Sequence, residues 1–102
     1  MLEEEDMLFH VTHTHSWDAC PYNDRERARE TFGKAFAGFM DSDVEVIGAW
    51  TDAPAHKFFI VVDATSVVQI EEILAPIIDI GWAETSPVVD TADILKRRLA
   101  GD

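Results

Sequence analysis

All four histidines of the chain fall in two places: His10, His13 and His15 in one short segment, and His56 some forty residues on. The lone cysteine, Cys20, follows His15 by five residues. In an extended segment side chains alternate between the two sides, so His13 and His15 share a side with Phe9 and Val11, whereas His10 shares the other with Leu8, Thr12 and Thr14. Two imidazoles at i and i+2 make a chelating pair. Cys20 in the following loop can fold back as a third ligand, and His56, or a carboxylate such as Asp18 or Asp52, can supply a fourth. Imidazole with thiolate suits zinc, nickel, copper or iron rather than magnesium or calcium, and the residues do not choose among the four. The expected metal ligands are therefore His13 and His15 as central members, with Cys20 and His56 in support.

Other chemistry is open to the same residues. His10 on the opposite side, beside two threonines, is the natural general base of a metal-free enzyme, because an imidazole titrates near neutral pH. A lone strand histidine is more often a hydrogen-bonded structural residue, and a cysteine before Pro21 can be a small buried hydrophobe. Three histidines within six residues are harder to read that way. Trp17, Trp50 and Trp82 could wall a pocket; Trp50 and Trp82 are read first as core.

The elements that must carry these groups follow from pattern. Residues 7–15 are rich in β-branched and aromatic types without Gly or Pro, which makes a strand. Asn23 or Asp24 caps a helix whose apolar positions, among them Phe32, Ala35, Phe36 and Phe39, recur at helical spacing up to about Ser42. Residues 44–51 and 57–63 are two further strands, joined by a hairpin loop, 52–56, that contains Pro54. Ser66 and Gln69 form a capping box for a second helix, with Pro76 late in it and Gly81 expected to stop it. Residues 82–89 make a fourth strand, which Pro87 marks as an edge, and Asp90 or Thr91 caps a terminal helix through Leu99. The acidic opening, residues 1–6, is expected to be a disordered leader before a single domain over 7–102.

The order is βαββαβ plus a C-terminal helix. Right-handed crossovers turn it into an α+β, ferredoxin-like fold: a four-stranded antiparallel sheet of order 4-1-3-2 with both main helices on one side. In that topology the end of the first strand, the start of the first helix, the hairpin and the start of the fourth strand share one edge, so His56 approaches His13 and His15. Ile47 and Ala49 are expected to point one way and Val46 and Trp50 the other; Phe59 and Val61 oppose Phe58, Ile60 and Val62. Both sheet faces are thus apolar, and two helices cover only one. A homodimer pairing the open faces follows as an expectation.

The span from Met7 to Asp90 resembles the dimeric α+β barrel superfamily, which includes muconolactone isomerase, cofactor-independent antibiotic-biosynthesis monooxygenases and stress-responsive barrel proteins. Within it, His13-Thr14-His15 followed by Cys20-Pro21, and the later Gly48-Ala49-Trp50 and His56, are similar to a short prokaryotic barrel family. The resemblance implies the fold and the dimer; it transfers no catalytic residues.

Composition narrows the partners. The sequence of 102 residues is 47% hydrophobic and 27% charged, the balance of a packed domain. Its formal net charge of −12 repels phosphate backbones and anionic lipid heads, so neither nucleic acid nor membrane is an expected partner. Lys96-Arg97-Arg98 falls where a terminal helix ends and complements its dipole. A single cysteine excludes an internal disulfide, and with an acidic rather than basic start this points to the cytoplasm. Three functions remain: a transition-metal-binding barrel, a metal-free enzyme of isomerase or oxygenase type using His10 or His13, and a non-catalytic dimeric interaction protein.

Overall fold

The computed structural model describes residues 7–100, and the acidic leader lies outside them. Strand β1 (Met7–His15) is followed by a continuous helical segment: α1 (Arg25–Ala28), a π-helical turn (Arg29–Gly33) and α2 (Lys34–Met40). The hairpin strands β2 (Glu45–Asp52) and β3 (Lys57–Ala64) come next, then α3 (Val67–Ile78), β4 (Gly81–Val88) and α4 (Thr91–Leu99). The sheet order is β2-β3-β1-β4 with every pairing antiparallel, the expected ferredoxin-like arrangement.

The caps are those the sequence signals. Asp24 accepts from the Arg27 amide at 3.0 Å, Ser66 from Gln69 at 3.3 Å and Asp90 from Ala92 at 2.7 Å. Each satisfies an amide that the first helical turn leaves without a partner. The period-2 alternation of β1 buries Phe9, Val11, His13 and His15 beneath the helices, while Leu8, His10, Thr12 and Thr14 are half-buried on the other face. Phe58, Ile60 and Val62 of β3 join them, and Phe39, Ile70, Leu74 and Ile77 close the core from the helical layer.

Three expectations need correction. A β-bulge between Val46 and Gly48 inserts one residue into β2, so Val46 and Ala49 both sit opposite buried β3 residues, Val62 and Ile60. Plain alternation fails there because two residues oppose one across a bulge. Gly81 does not stop the second helix, which ends at Ile78 with Asp79 as its cap; Gly81 is the first residue of β4. A Cβ at Gly81 would collide with the Thr14 carbonyl oxygen, so glycine is what lets β4 close against the end of β1. Trp50 and Trp82 are not core: they lie on the open face, 58% and 57% exposed. The Trp50 indole lies over Gly48, where a Cβ would come within 2.5 Å of the ring.

No helix among the described residues is long and apolar enough to cross a membrane. Among the described residues helix α4 packs against no other element, and its Ile94, Leu95 and Leu99 are exposed.

Candidate metal centre

The site is assembled at one end of the sheet from three segments. His15 is the last residue of β1, paired with Gly81 of β4, and its amide donates to the His56 carbonyl at 3.2 Å. That bond ties the β2–β3 hairpin to the strand end. His56 holds a left-handed backbone, φ 54°, at the close of the hairpin, with its own amide bonded to the Ala53 carbonyl at 3.1 Å. A β-carbon is disfavoured in that region, and such conformations persist where the surroundings fix them and concentrate at functional sites. The His15 and His56 rings stand edge to face with centroids 5.2 Å apart. Cys20 arrives from the loop after β1, where successive turns bond Ala19 to Ser16 and Cys20 to Trp17, and buried Pro21 anchors the end.

One side-chain atom each from His15, Cys20 and His56 forms a group in which all three lie within 4.8 Å of one another. Zinc bonds to nitrogen and sulfur are ~2.0–2.3 Å long, so ligand atoms on one tetrahedral ion sit about 3.3–3.8 Å apart. Closing the set takes a movement of about 1 Å, within the rotamer freedom of a half-buried cysteine and a half-buried hairpin histidine. His15 is buried, yet among the described residues neither of its ring nitrogens has a hydrogen-bond partner. A buried polar atom without a partner costs about 1–3 kcal/mol, and a metal ion is one way of satisfying it.

His13 lies outside this group. It is fully buried, and its Nε2 sits 2.8 Å from the Ile77 carbonyl oxygen. A carbonyl only accepts, so Nε2 carries the proton and donates. Ile77 is in the last turn of α3, whose carbonyls have no intrahelical partner, and His13 thus caps the helix from the neighbouring strand. Nδ1 of His13 is buried without a partner among the described residues. His10, on the opposite face, is near Phe59 with ring centroids 6.2 Å apart and reaches none of the other histidines. Of the two carboxylates considered as a fourth ligand, Asp52 accepts from the Ala55 amide at 3.2 Å. Asp18 is held below the usual carboxylate range by the Ser16 hydroxyl first and by nearby amides.

Electrostatics keep the buried imidazoles neutral. Burial is the main cause lowering the His15 pKa, reinforced by repulsion from His13 and His56. Burial also lowers that of His13, partly offset by its bond to Ile77. Neutral imidazole is the metal-binding form.

Phe32 is the residue that periodicity alone assigns to the core and nothing more. It sits in the π-helical turn, which widens the helix by one residue where the Thr31 hydroxyl bonds back to the Arg27 carbonyl at 2.8 Å. The Phe32 ring meets His13 edge-on at 5.5 Å, His15 at 5.6 Å and Phe58 at 6.0 Å. A cleft of about 660 Å³ opens beside this cluster, and His15, Cys20 and His56 all line it. The signal in the sequence was the Phe32–Phe36 pair one turn apart on a helix that starts beside Cys20. Trp17, Lys57 and Phe58 also border the cleft, whereas Trp50 and Trp82 do not.

A family model described as a domain of unknown function, DUF3303, matches residues 7–100, nearly the whole chain, and the chain belongs to that family. No curated protein and no solved structure matches.

Proposed function

We propose that this DUF3303 protein binds one transition-metal ion per chain through His15, Cys20 and His56, with a fourth position open to the adjacent cleft. The observation that carries the reading is the convergence of three ligand-type atoms from separate segments on His15, whose buried nitrogens have no hydrogen-bond partner among the described residues. Three protein ligands with an open position is the arrangement of reactive metal sites rather than of closed structural ones. The mixed nitrogen and sulfur set favours zinc, nickel, copper or iron. His13 acts in this reading as a positioning residue, packing beside His15 and fixing the α3 terminus; its ring centroid is 5.6 Å from that of His15.

The dimer belongs to the same proposal. Phe59, Val61, Trp50 and Trp82 leave the open sheet face apolar, and exposed apolar area costs ~25 cal/mol per Å². A second copy of the same face covers it with an isologous interface.

The test is calorimetric titration of zinc into tag-free protein, wild type beside a His15→Ala/His56→Ala double variant. Wild type is expected to bind one ion with a Kd below about 10 μM and the double variant at least about 100-fold more weakly. Equal binding by both, or no binding tighter than about 1 mM, overturns the reading.

A further inference from the structure

Among the described residues α4 touches no other element, yet its residues are patterned like those of a packed helix. At ~100° per residue, Ile94, Leu95 and Leu99 fall within ~140° of the helical circle, and all three are exposed. A short helix draws most of its stability from burying such a stripe. Only Val89 and Asp90 link α4 to β4, and Asp90 fixes the first turn through its bond to the Ala92 amide. The helix therefore stands off the sheet as an arm. The Cα radius of gyration, 15.9 Å, exceeds the ~13 Å of a packed domain of this length.

A receptor of matching chemistry lies open on the same chain. Helix α3 and strand β4 bound a groove of about 360 Å³ with Val67, Leu74, Ile78 and Ala83 in its walls, and α4 leaves it uncovered. The two elements carry Glu71, Glu72 and Glu84 and no lysine or arginine. Helix α4 carries Lys96, Arg97 and Arg98, three of the chain's 8 basic residues, against the single acid Asp93. Copies of a chain with a net charge of −12 repel one another, so contact between them is favoured where the cations of one meet the acids of the other.

We infer that α4 of each copy docks its Leu95 and Leu99 side in the α3–β4 groove of a second copy, clasping the dimer from outside the sheets. The inference rests on the open-face pairing proposed above, and the clasp adds to that interface without replacing it. Packed sheets lie ~10 Å apart, and the nine residues of α4 span ~13.5 Å. Rooted at the end of β4, the arm reaches the partner when the two β4 edges lie on the same side of the sheet pair. The exchange is reciprocal, as a two-fold axis requires.

The experiment asks whether α4 meets the groove of another chain. Two singly substituted chains, one Ile78→Cys and one Leu95→Cys, are mixed with oxidised glutathione, and the linked peptides are identified by mass spectrometry with Cys20 kept in both. A disulfide between positions 78 and 95 is expected, and in this mixture it can only join two copies. With both substitutions in one chain the product should again be a linked dimer; a linked monomer would place α4 in its own groove and overturn the inference. In parallel, Leu95→Asp/Leu99→Asp should raise the dimer dissociation constant, followed by light scattering on dilution, at least about tenfold. It should leave the melting temperature of the dilute monomer unchanged, because α4 packs on nothing in its own chain. An unchanged dissociation constant, or no link between chains that do dimerise, overturns the clasp, leaves the open-face dimer standing and frees the groove for another occupant such as the residues before Met7. Wild type that stays monomeric throughout defeats the open-face reading, and the clasp with it.

Discussion

Strand β1 places histidines on both sides of one sheet, and the two sides offer them different surroundings. On the helical side His13 and His15 are buried, packed around Phe32, and held neutral by desolvation. On the open side His10 is half-buried, sharing a face with Thr12 and Thr14 and lying near Phe59. Identical side chains two or three residues apart thus acquire separate uses from the alternation of one strand. A buried imidazole must be matched by a fixed donor, acceptor or ion. One on an open face can remain hydrated or meet a second molecule.

Adjacent residues of β3 should show the contrast most strongly. Ile60 is fully buried beneath the helices, whereas Phe59 is half-buried on the open face. Ile60→Asp buries an unpaired charge and should cost more than about 4 kcal/mol, a large part of a domain's whole stability. Urea unfolding should find little folded protein. Phe59→Asp should leave the fold in place and change the mass instead: light scattering of wild type at micromolar concentration should give twice the chain's 11.4 kDa, and the variant 11.4 kDa alone. A wild-type mass of 11.4 kDa would mean that the open face stays unpaired.

Between the histidines the expected effect is smaller. His13→Leu removes the donor to the Ile77 carbonyl, and an orphaned buried acceptor costs about 1–3 kcal/mol. His10→Leu should shift stability by less than about 0.5 kcal/mol in the monomer, as surface substitutions do. Neither change should lower zinc affinity by as much as about tenfold. Loss of zinc binding in His13→Leu, with its fold intact by circular dichroism, would return His13 to the ligand set.

The split of β1 into two histidine faces was legible because strand alternation is a two-residue rule and nothing interrupts it. The sheet order and all three caps were likewise local pattern joined to known handedness. Trp50 and the relation of Val46 to Ala49 differ from plain alternation for one reason: the bulge after Val46 adds a residue that no composition signal marks, and Gly48, needed under the Trp50 ring, is an ordinary strand glycine until the ring is placed. The site was found as a neighbourhood, not as a ligand set. His15, Cys20 and His56 converge as expected, but nothing in the spacing of His13 and His15 tells which of two buried imidazoles a helix end will claim. That depends on where α3 stops, at Ile78 rather than at Gly81, and on the width of the π-helical turn that carries Phe32.

The subtlest difference between the faces is in protons. In the unfolded chain His13 and His15 titrate near their ordinary value of 6.5; in the folded chain both are lowered, chiefly by burial. The unfolded state therefore binds more protons wherever the pH lies between the folded and unfolded values, so stability rises with pH across that window. Above about pH 7 both states are neutral at these positions and the dependence should flatten. As the pH falls through 6.5 and then through the lowered folded values, the metal-free protein should lose stability. Most carboxylates titrate below about pH 5, where relief of repulsion in so acidic a chain works in the opposite direction. The clean window is therefore about pH 7.5 to 5.5, read as melting temperature after removal of metal with a chelator. His15→Phe keeps an aromatic ring in the cluster but cannot be protonated, so its melting curve should fall less steeply over the same range. Subtracting one curve from the other cancels the carboxylates common to both chains. Parallel curves, or a wild-type melting temperature that climbs on acidification from 7.5 to 5.5, would mean that the buried imidazoles reach water or a proton acceptor and that the helical face is no drier for histidine than the open one.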